Sequence, residues 1–221
     1  MSNKSKNLER IIIVGCGQHA NVVIYNIKAQ NKYEVIGYFD SDENKSGLYF
    51  GGYKVIENYP KCDLAELKKK YNTNKFFIGF GNMKYRRLVY EQFSEAGWDA
   101  VNIFHPNAVI SADSKIGKGV LIEAGCLITP NPIIGNNVVI NTGSQVNHDN
   151  IIKNHVYIAS GVILSGGVTI GENTLIDDGV IVSLGKSVSE ECIIGAGAVV
   201  TKDLLIAGTY FGIPAKLIEK V

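Results

Sequence analysis

The sequence predicts an α/β domain over residues 1–105, followed by an all-β coil of hexapeptide repeats over residues 106–221. Aliphatic residues recur at every sixth position from Val109 onward. The 24 glycines are concentrated in the second half of the chain. In the first hundred residues, apolar strands alternate with helical segments. The first two observations indicate a stacked repeat, and the third indicates a parallel sheet with helical crossovers.

The hexapeptide repeat decides the fold of the second half. From Val109 the chain divides into sixteen six-residue blocks without an insertion. A helix repeats every 3.6 residues and a strand every two, so neither explains a period of six. A coil that turns a corner every six residues does, because it stacks one aliphatic residue per side. The second residue of each block is always Ile, Val or Leu: Ile110, Ile116, Ile122, Ile128, Ile134, Ile140, Val146, Ile152, Ile158, Leu164, Ile170, Ile176, Val182, Val188, Ile194 and Val200.

The first hundred residues predict a Rossmann-like domain. Apolar segments at 10–14, 35–39, 75–80 and 100–104 are typical of strands, and helices are expected up to about residue 29 and over 84–95. Strands that alternate with helices form a parallel sheet through right-handed crossovers. We therefore expect four strands, fewer than the six of a full dinucleotide fold.

A glycine loop follows the first strand and allows two interpretations. Gly15, Gly17 and Ala20, with Asp40 twenty residues further on, match the dinucleotide fingerprint. An NAD-dependent oxidoreductase is therefore one alternative, although no hydride-transfer site is recognisable downstream. Glycines that let the backbone approach a phosphate at a helix start serve a nucleotide-linked substrate equally well. We expect that NAD and NADP do not bind.

Composition narrows the function classes. The formal net charge is +1, which lacks the basic surplus of a nucleic-acid-binding protein. The apolar run at residues 11–14 is too short for a signal peptide or a membrane span. We expect a cytoplasmic protein with reduced thiols and no metal, because its cysteines are scattered and share no ligand spacing with the histidines: Cys16, Cys62, Cys126 and Cys192.

A histidine followed by an aspartate interrupts one corner of the predicted coil. His148 holds the fourth position of its block and Asp149 the fifth. A neutral imidazole can take a proton near pH 7, and an adjacent carboxylate can orient the ring and stabilise the imidazolium. The pair therefore has the pattern of a general base with its acidic neighbour. A solvated corner histidine without a catalytic role has the same pattern.

The other three histidines carry weaker signals. His155 stands in the next block and is either an alternative base or a surface residue. His105 precedes Pro106 at the domain junction, where a structural role is expected. His19 lies in the glycine loop, where substrate contact and local capping are both open.

Taken together, these segments resemble the NeuD/PglD family of sialic acid O-acetyltransferases and nucleotide-amino-sugar N-acetyltransferases. The resemblance spans almost the whole chain and is carried by IIIVGCGQHANVV, VIGYFD, IGFGN, INTGSQVNHD, LSGGVTIG and YFGIPAK. It implies that the repeat is a left-handed parallel β-helix with three sides per coil and just over five coils. It also implies that acetyl-CoA is the co-substrate.

The resemblance also assigns roles to individual residues. His148 falls on the general base and Asp149 on the acidic neighbour that raises its basicity. Gly166 falls on a position where a backbone amide contacts the acetyl donor and can polarise the thioester carbonyl. Nucleotide-sugar positions fall on Gly17, Gln18, His19, Asp40, Ser41 and Gly81, and further cofactor-lining positions on Tyr157, Asp178 and Ala196.

Three positions depart from the family pattern. Gln18 and His19 stand where Gly-His is common, and Ser41 stands where a second acidic residue often follows Asp40. Tyr157 replaces a histidine often found two coil sides from the base. The first two departures bear on the identity of the nucleotide, and the third bears on how the thioester is held.

The sequence thus predicts an acetyl-CoA-dependent N-acetyltransferase that acts on a nucleotide-linked amino-sugar for bacterial surface glycans. O-acetylation of a sialic- or legionaminic-type sugar is the alternative within enzymes. A nucleotide-sugar-binding or scaffold protein with a degenerate site is the alternative from another class. We also expect a homotrimer, because a flat-sided coil exposes apolar and small residues that favour closed cyclic packing.

Overall fold

The computed structural model describes residues 8–220 and divides the chain into two compact units. The first unit comprises the chain up to Phe80 together with Val89–Val101. The second comprises Gly81–Leu88 together with the chain from Asn102 onward. The domain boundary proposed from the sequence, between residues 105 and 106, lies a few residues after the division at Val101.

The first unit has an α/β fold with one six-stranded sheet. Its helices are α1 (Gln18–Gln30), α2 (Leu64–Tyr71) and α3 (Met83–Glu95), of which α3 begins in the second unit. Short 3₁₀ turns cover Glu43–Lys45 and Tyr59–Lys61. The strands are β1 (Glu9–Val14), β2 (Tyr33–Asp40), β3 (Tyr49–Phe50), β4 (Tyr53–Asn58), β5 (Lys75–Ile78) and β6 (Asp99–Ala100).

The sheet has the order β3-β4-β2-β1-β5-β6, and all neighbours are parallel except β3 and β4. Strand β1 is fully buried over Ile11–Val14, as expected for a central strand covered on both faces. The sheet grows in opposite directions from β1, toward β2 on one side and β5 on the other. Ligands of such sheets bind at the carboxyl ends of the strands beside this switch point. The expected Rossmann-like class is confirmed.

The second unit is a stack of two-residue strands. After β7 (Ile103–Phe104) come β8 (Val109–Ile110), β9 (Lys115–Ile116), β10 (Leu121–Ile122), β11 (Leu127–Ile128), β12 (Ile133–Ile134), β13 (Val139–Ile140), β14 (Gln145–Val146), β15 (Ile151–Ile152), β16 (Tyr157–Ile158), β17 (Ile163–Leu164), β18 (Thr169–Ile170), β19 (Leu175–Ile176), β20 (Ile181–Val182), β21 (Ser187–Val188), β22 (Ile193–Ile194) and β23 (Val199–Val200). A hairpin of β24 (Gly208–Phe211) and β25 (Lys216–Lys220) follows.

Every third strand pairs in parallel, so the stack has three sides. The first face contains β7, β10, β13, β16, β19 and β22, extended by β24 and β25. The second face contains β8, β11, β14, β17, β20 and β23, and the third contains β9, β12, β15, β18 and β21. Partners lie eighteen residues apart, as in Ile140 beside Ile158 and Ile158 beside Ile176. The predicted three-sided parallel β-helix is confirmed.

Two positions of each block face the interior. The aliphatic second position is buried throughout the middle of the stack, as the sequence predicted. The sixth position is buried too, and it holds Val in many blocks. Ser144, Asn150 and Thr174 occupy it as fully buried polar residues that hydrogen-bond to the backbone. Their side chains satisfy backbone groups at corners, where strand pairing stops.

Two sequence-based details are wrong. The strand expected over residues 100–104 is two strands, because Asp99–Ala100 pairs with β5 whereas Ile103–Phe104 pairs with β10. The sheet has six strands rather than four, because the hairpin of β3 and β4 joins it. The number of strands therefore does not argue against dinucleotide binding. No helix in residues 8–220 is long and apolar enough to cross a membrane.

Candidate active site

The corner between β14 and β15 is held from above, below and inside. The amide of Asp149 donates to the carbonyl of Pro130 at 3.0 Å, and the amide of Gly167 donates to the carbonyl of His148 at 2.8 Å. The buried Asn150 accepts from the amide of Val168 at 2.6 Å and donates to the carbonyl of Asn147 at 2.7 Å. Backbone and interior contacts thus fix this corner.

The side chains of His148 and Asp149 project from this corner toward solvent. They are 59% and 58% exposed, and Nδ1 of His148 lies 2.8 Å from Oδ2 of Asp149. The hydrogen bond from His148 is the largest influence that lowers the pKa of Asp149, followed by one from Asn131. An ionised carboxylate favours the tautomer with hydrogen on Nδ1, which leaves the Nε2 lone pair as a proton acceptor. The pair can therefore act as a general base.

Gly166, one coil above His148, leaves space for the imidazole. A Cβ atom on Gly166 would lie 2.3 Å from Nε2 and 2.4 Å from Cε1 of His148. The ring therefore packs over the Gly166 backbone, which only a glycine permits. The sequence had assigned Gly166 a backbone role toward the acetyl donor, and this steric role was not foreseen.

The two other histidines of the second unit, His105 and His155, are buried, unlike His148. His155 is 7% exposed, and its Nδ1 lies 2.9 Å from Nδ2 of Asn137. His105 is 5% exposed, and its Nδ1 accepts the amide of Asn107 at 3.1 Å. Both side chains are therefore enclosed at corners, whereas His148 is accessible to a substrate.

Tyr157 and Gly81, which the sequence assigned to different ligands, contact each other in the second unit. A Cβ atom on Gly81 would lie 3.5 Å from the Tyr157 hydroxyl oxygen. That oxygen accepts a hydrogen bond from Nδ2 of Asn141 at 3.1 Å. Burial raises the pKa of Tyr157, and the Asn141 bond and the charge of Arg86 oppose that shift only in part. The phenol is therefore neutral near pH 7 and can serve as a hydrogen-bond donor.

The two other predicted cofactor positions lie on successive coils of one edge. Asp178 and Ala196 each hold the fourth position of a block between the first and second faces, and both are exposed. The carboxylate of Asp178 accepts the amide of Ser160 at 2.9 Å, and its carbonyl accepts the amide of Gly197 at 2.8 Å. His148 and Gly166 lie on a different edge, between the second and third faces. One chain therefore carries the predicted base and these cofactor positions on separate edges.

The glycine loop of the first unit is tied to the end of β2. Gly15 has φ of +90°, a conformation that favours glycine. Oδ2 of Asp40 accepts both the amide and the thiol of Cys16 at 3.0 Å, while Oδ1 accepts the amide of Asp42 at 2.9 Å. Burial and this bond raise the pKa of Cys16 to about 12, so its thiol stays protonated and donates. Asp40 thus stabilises the glycine loop, next to which it was predicted to bind the nucleotide-linked sugar.

The remaining predicted substrate residues lie around this loop. Gly17 precedes α1, while Gln18 and His19 form the first turn of that helix. Gly17 and Gln18 are exposed, as is Ser41, whose carbonyl accepts Nδ2 of Asn58 at 3.0 Å. Exposed amides at a helix start favour an anion such as a phosphate. Among residues 8–220 there is no group of three or more His, Cys, Asp or Glu side chains that could hold a metal ion.

Sequence reasoning missed three asparagines of the site. Asn131 stands one coil before Asp149, Asn141 sixteen residues before Tyr157, and Asn150 at an inward position beside the corner of His148. The available signal was the eighteen-residue spacing, which places side chains above one another on an edge. A search along the sequence at this spacing could have found these asparagines, because they stand at positions where other coils have glycine or valine.

Comparison with known proteins identifies relatives of this chain. The family described as PglD N-terminal domain matches residues 10–93. A UDP-N-acetylbacillosamine N-acetyltransferase from Bacillus subtilis (strain 168) is 29% identical over 117 residues. That alignment covers 53% of this chain and 52% of the curated relative, so it spans about half the length of each.

Solved structures match almost the whole chain. PerB from Caulobacter crescentus, in complex with CoA and GDP-perosamine, is 30% identical with a TM-score of 0.87. The match covers 94% of this chain and 96% of PerB. The acetyltransferase domain of PglB from Neisseria gonorrhoeae FA1090, in complex with acetyl coenzyme A, is 26% identical with a TM-score of 0.85 and covers 96% and 100% of the two chains. With its Rossmann-like unit, left-handed β-helix and exposed His148–Asp149 pair, this chain belongs to the NeuD/PglD family of sugar acetyltransferases.

Proposed function

We propose that this protein transfers an acetyl group from acetyl-CoA to the amino group of a nucleotide-linked amino-sugar. The observation that carries the proposal is the hydrogen bond between Nδ1 of His148 and Asp149, which orients Nε2 as a proton acceptor at an accessible corner. A scaffold protein has no use for such a pair. Two nearly full-length structural relatives, PerB and the acetyltransferase domain of PglB, are solved in complex with CoA or acetyl coenzyme A.

The reaction proceeds by direct attack. The neutral sugar amine adds to the thioester carbonyl carbon while Nε2 of His148 takes the proton from the amine. The carbon–sulfur bond then breaks, and the departing CoA thiolate receives the proton from the imidazolium. Asp149 stabilises the transient imidazolium without accepting its proton. The backbone amide of Gly166 is proposed to polarise the thioester carbonyl, and no covalent enzyme intermediate forms.

The nucleotide-linked substrate is supported by the first unit. The loop at Gly15–Gly17 presents the start of α1, which suits a diphosphate. PerB is solved with GDP-perosamine, and the curated relative is named for a UDP-linked sugar. We propose Gly17, Gln18, His19, Asp40, Ser41 and Gly81 as the substrate set.

A homotrimer is supported by the composition of the second face. Its outward residues Val109, Leu127 and Ile181 are 64%, 37% and 38% exposed. An apolar face of this kind favours packing against another copy. Because His148 lies on one edge and Asp178 and Ala196 on another, a neighbouring copy would supply the second set to a shared cleft. We propose the cytoplasm as the compartment.

A thiol-release assay tests the activity. Purified protein is incubated with acetyl-CoA and a panel of UDP-, dTDP- and GDP-linked amino-sugars, with the matching hydroxyl-only sugar nucleotides as controls. Thiol release with at least one amino-sugar, and a product heavier by one acetyl group in mass spectrometry, is expected. Transfer to the hydroxyl controls at an equal rate would instead support O-acetylation. If none of the sugar nucleotides in the panel causes thiol release, the proposal is contradicted.

A further inference from the structure

A ladder of polar side chains runs along the edge beneath His148. Asp113, Asn131 and Asp149 hold the fifth position of their blocks on three successive coils. Ser111 donates to Asp113 at 2.6 Å, and the backbone amide of Asn131 bonds to the Asp113 carboxylate. The side chain of Asn131 in turn reaches the coil above. The ladder therefore connects the two coils below to the corner that carries the base.

The upper bond of this ladder ends on the carboxylate that orients the base. Nδ2 of Asn131 donates to Oδ1 of Asp149 at 3.3 Å, while Oδ2 of Asp149 lies 2.8 Å from Nδ1 of His148. The two oxygens thus have different partners. An outer donor of this kind fixes a carboxylate that would otherwise rotate about its terminal bond.

The backbone does not by itself require asparagine at this position. Asn131 has φ of +64°, a left-handed conformation that asparagine tolerates and glycine adopts without strain. Further along the same edge, Gly167 and Gly185 fill the equivalent position with φ of +66°. Glycine could therefore adopt the backbone conformation of this corner. The side-chain amide of Asn131 adds a contact to Asp149 that the backbone conformation does not require.

We propose that Asn131 is a positioning residue for acetyl transfer, because its amide holds the Asp149 carboxylate in the orientation that directs His148. The inference rests on the proposed function. The charged groups that influence Asp149 are His148 in the same corner and Asp113 two coils below, and the corner above consists of Gly166 and Gly167. Asn131 stands between the two carboxylates as a neutral donor.

Two substitutions at this position have opposite expected effects. Asn131→Gly keeps the left-handed corner and removes the amide, so the imidazolium is less stabilised and His148 should titrate at lower pH. Asn131→Asp keeps the shape and adds a negative charge, so His148 should titrate at higher pH. The kcat of Asn131→Gly should fall about 2- to 10-fold with KM unchanged, which is the range for one hydrogen bond.

Asn173→Gly is the matched control. Asn173 holds the same block position on another edge, has φ of +54°, and donates to Oε2 of Glu191 at 2.6 Å. Its replacement removes an equivalent hydrogen bond between an asparagine and a carboxylate, on an edge that does not carry His148. We expect it to leave both kcat and the His148 titration unchanged.

The experiment combines two readouts on the full-length protein. The imidazole titration of His148 is followed by NMR with ¹³C-labelled histidine, assigned from the His148→Gln spectrum, and thiol release is measured across pH. Opposite shifts for the two Asn131 variants, with none for Asn173→Gly, support the proposal. Unchanged titration in both variants, shifts of the same sign, or an equal kcat loss in Asn173→Gly would overturn it. If the wild type releases no thiol, the proposed function fails, while the NMR titration still decides whether Asn131 acts on His148.

Discussion

The Nε2 atom of His148 lies 2.3 Å from the point where a Cβ atom of Gly166 would stand. The two residues are eighteen positions apart and therefore lie one coil above the other. The base of the proposed reaction is thus positioned by a missing side chain on one side and by Asp149 on the other. A side chain at position 166 would therefore disturb the imidazole directly.

Gly166→Ala should displace the imidazole and lower kcat at least about 10-fold, with little loss of stability. Stability should change little because the clashing atoms belong to an exposed side chain that can rotate away. Gly135→Ala is the control, since its Cβ would lie 2.7 Å from the backbone nitrogen of Asn154. The control should lower the melting temperature and spare kcat. Full activity of Gly166→Ala would show that the ring does not need this space.

His148→Ala should lower turnover about 100- to 10,000-fold, the usual contribution of general-base assistance. Binding of the sugar nucleotide should remain, because most of the residues proposed for that site lie in the first unit. Asp149→Asn should reduce kcat less, since it supports the imidazolium without accepting its proton. Steady-state thiol release and calorimetric binding check both. A larger loss for His155→Ala than for His148→Ala would identify the buried histidine as the base instead.

Asp40→Asn should destabilise the first unit by about 1–3 kcal/mol at pH 7, because a buried charged acceptor is replaced. Burial alone would raise the pKa of Asp40, but bonds from Asp42 and Cys16 and the charge of Lys45 hold it below its ordinary value. The stabilisation is therefore present above that ordinary value and is lost as pH falls through the lowered one. Thermal unfolding should show a difference between variant and wild type that shrinks toward acid pH. A difference that is constant with pH would contradict this account.

The wild type should have the mass of a trimer in light scattering at micromolar concentration. Ile181→Lys should shift it toward monomer, because a charge would be buried within the proposed apolar contact. Thr169→Lys, on the third face, should leave the assembly intact. A monomeric wild type would refute the proposed assembly.

NAD and NADP should not bind despite the glycine fingerprint. We expect this because the loop at Gly15–Gly17 and the carboxylate of Asp40 are proposed to hold the nucleotide-linked sugar instead. Calorimetric titration should show no heat of binding up to millimolar dinucleotide. An affinity in the micromolar range would restore the oxidoreductase interpretation.

The repeat could be predicted because its pattern lies entirely in the spacing of residues along the sequence. Each block buries its own second residue, so Ile140, Ile158 and Ile176 specify the ladder through spacing alone. The sixth position was missed as a core position because it varies in chemistry, with Asn150 buried in the same layer as valines. The β3–β4 hairpin was missed because it consists of two short strands that join the edge of the sheet.

The sequence by itself determined the period of the β-helix, the Rossmann-like order of strands and helices, and the pairing of His148 with its neighbour Asp149. These follow from local pattern and adjacency in the chain. Only the tertiary structure decided that Gly166 vacates the space for His148, that Asn131 reaches Asp149, and that Tyr157 meets Asn141 and Gly81. Such contacts join residues one coil or more apart. They depend on where the outward side chains of stacked corners point, which the inward-facing hydrophobic pattern does not encode.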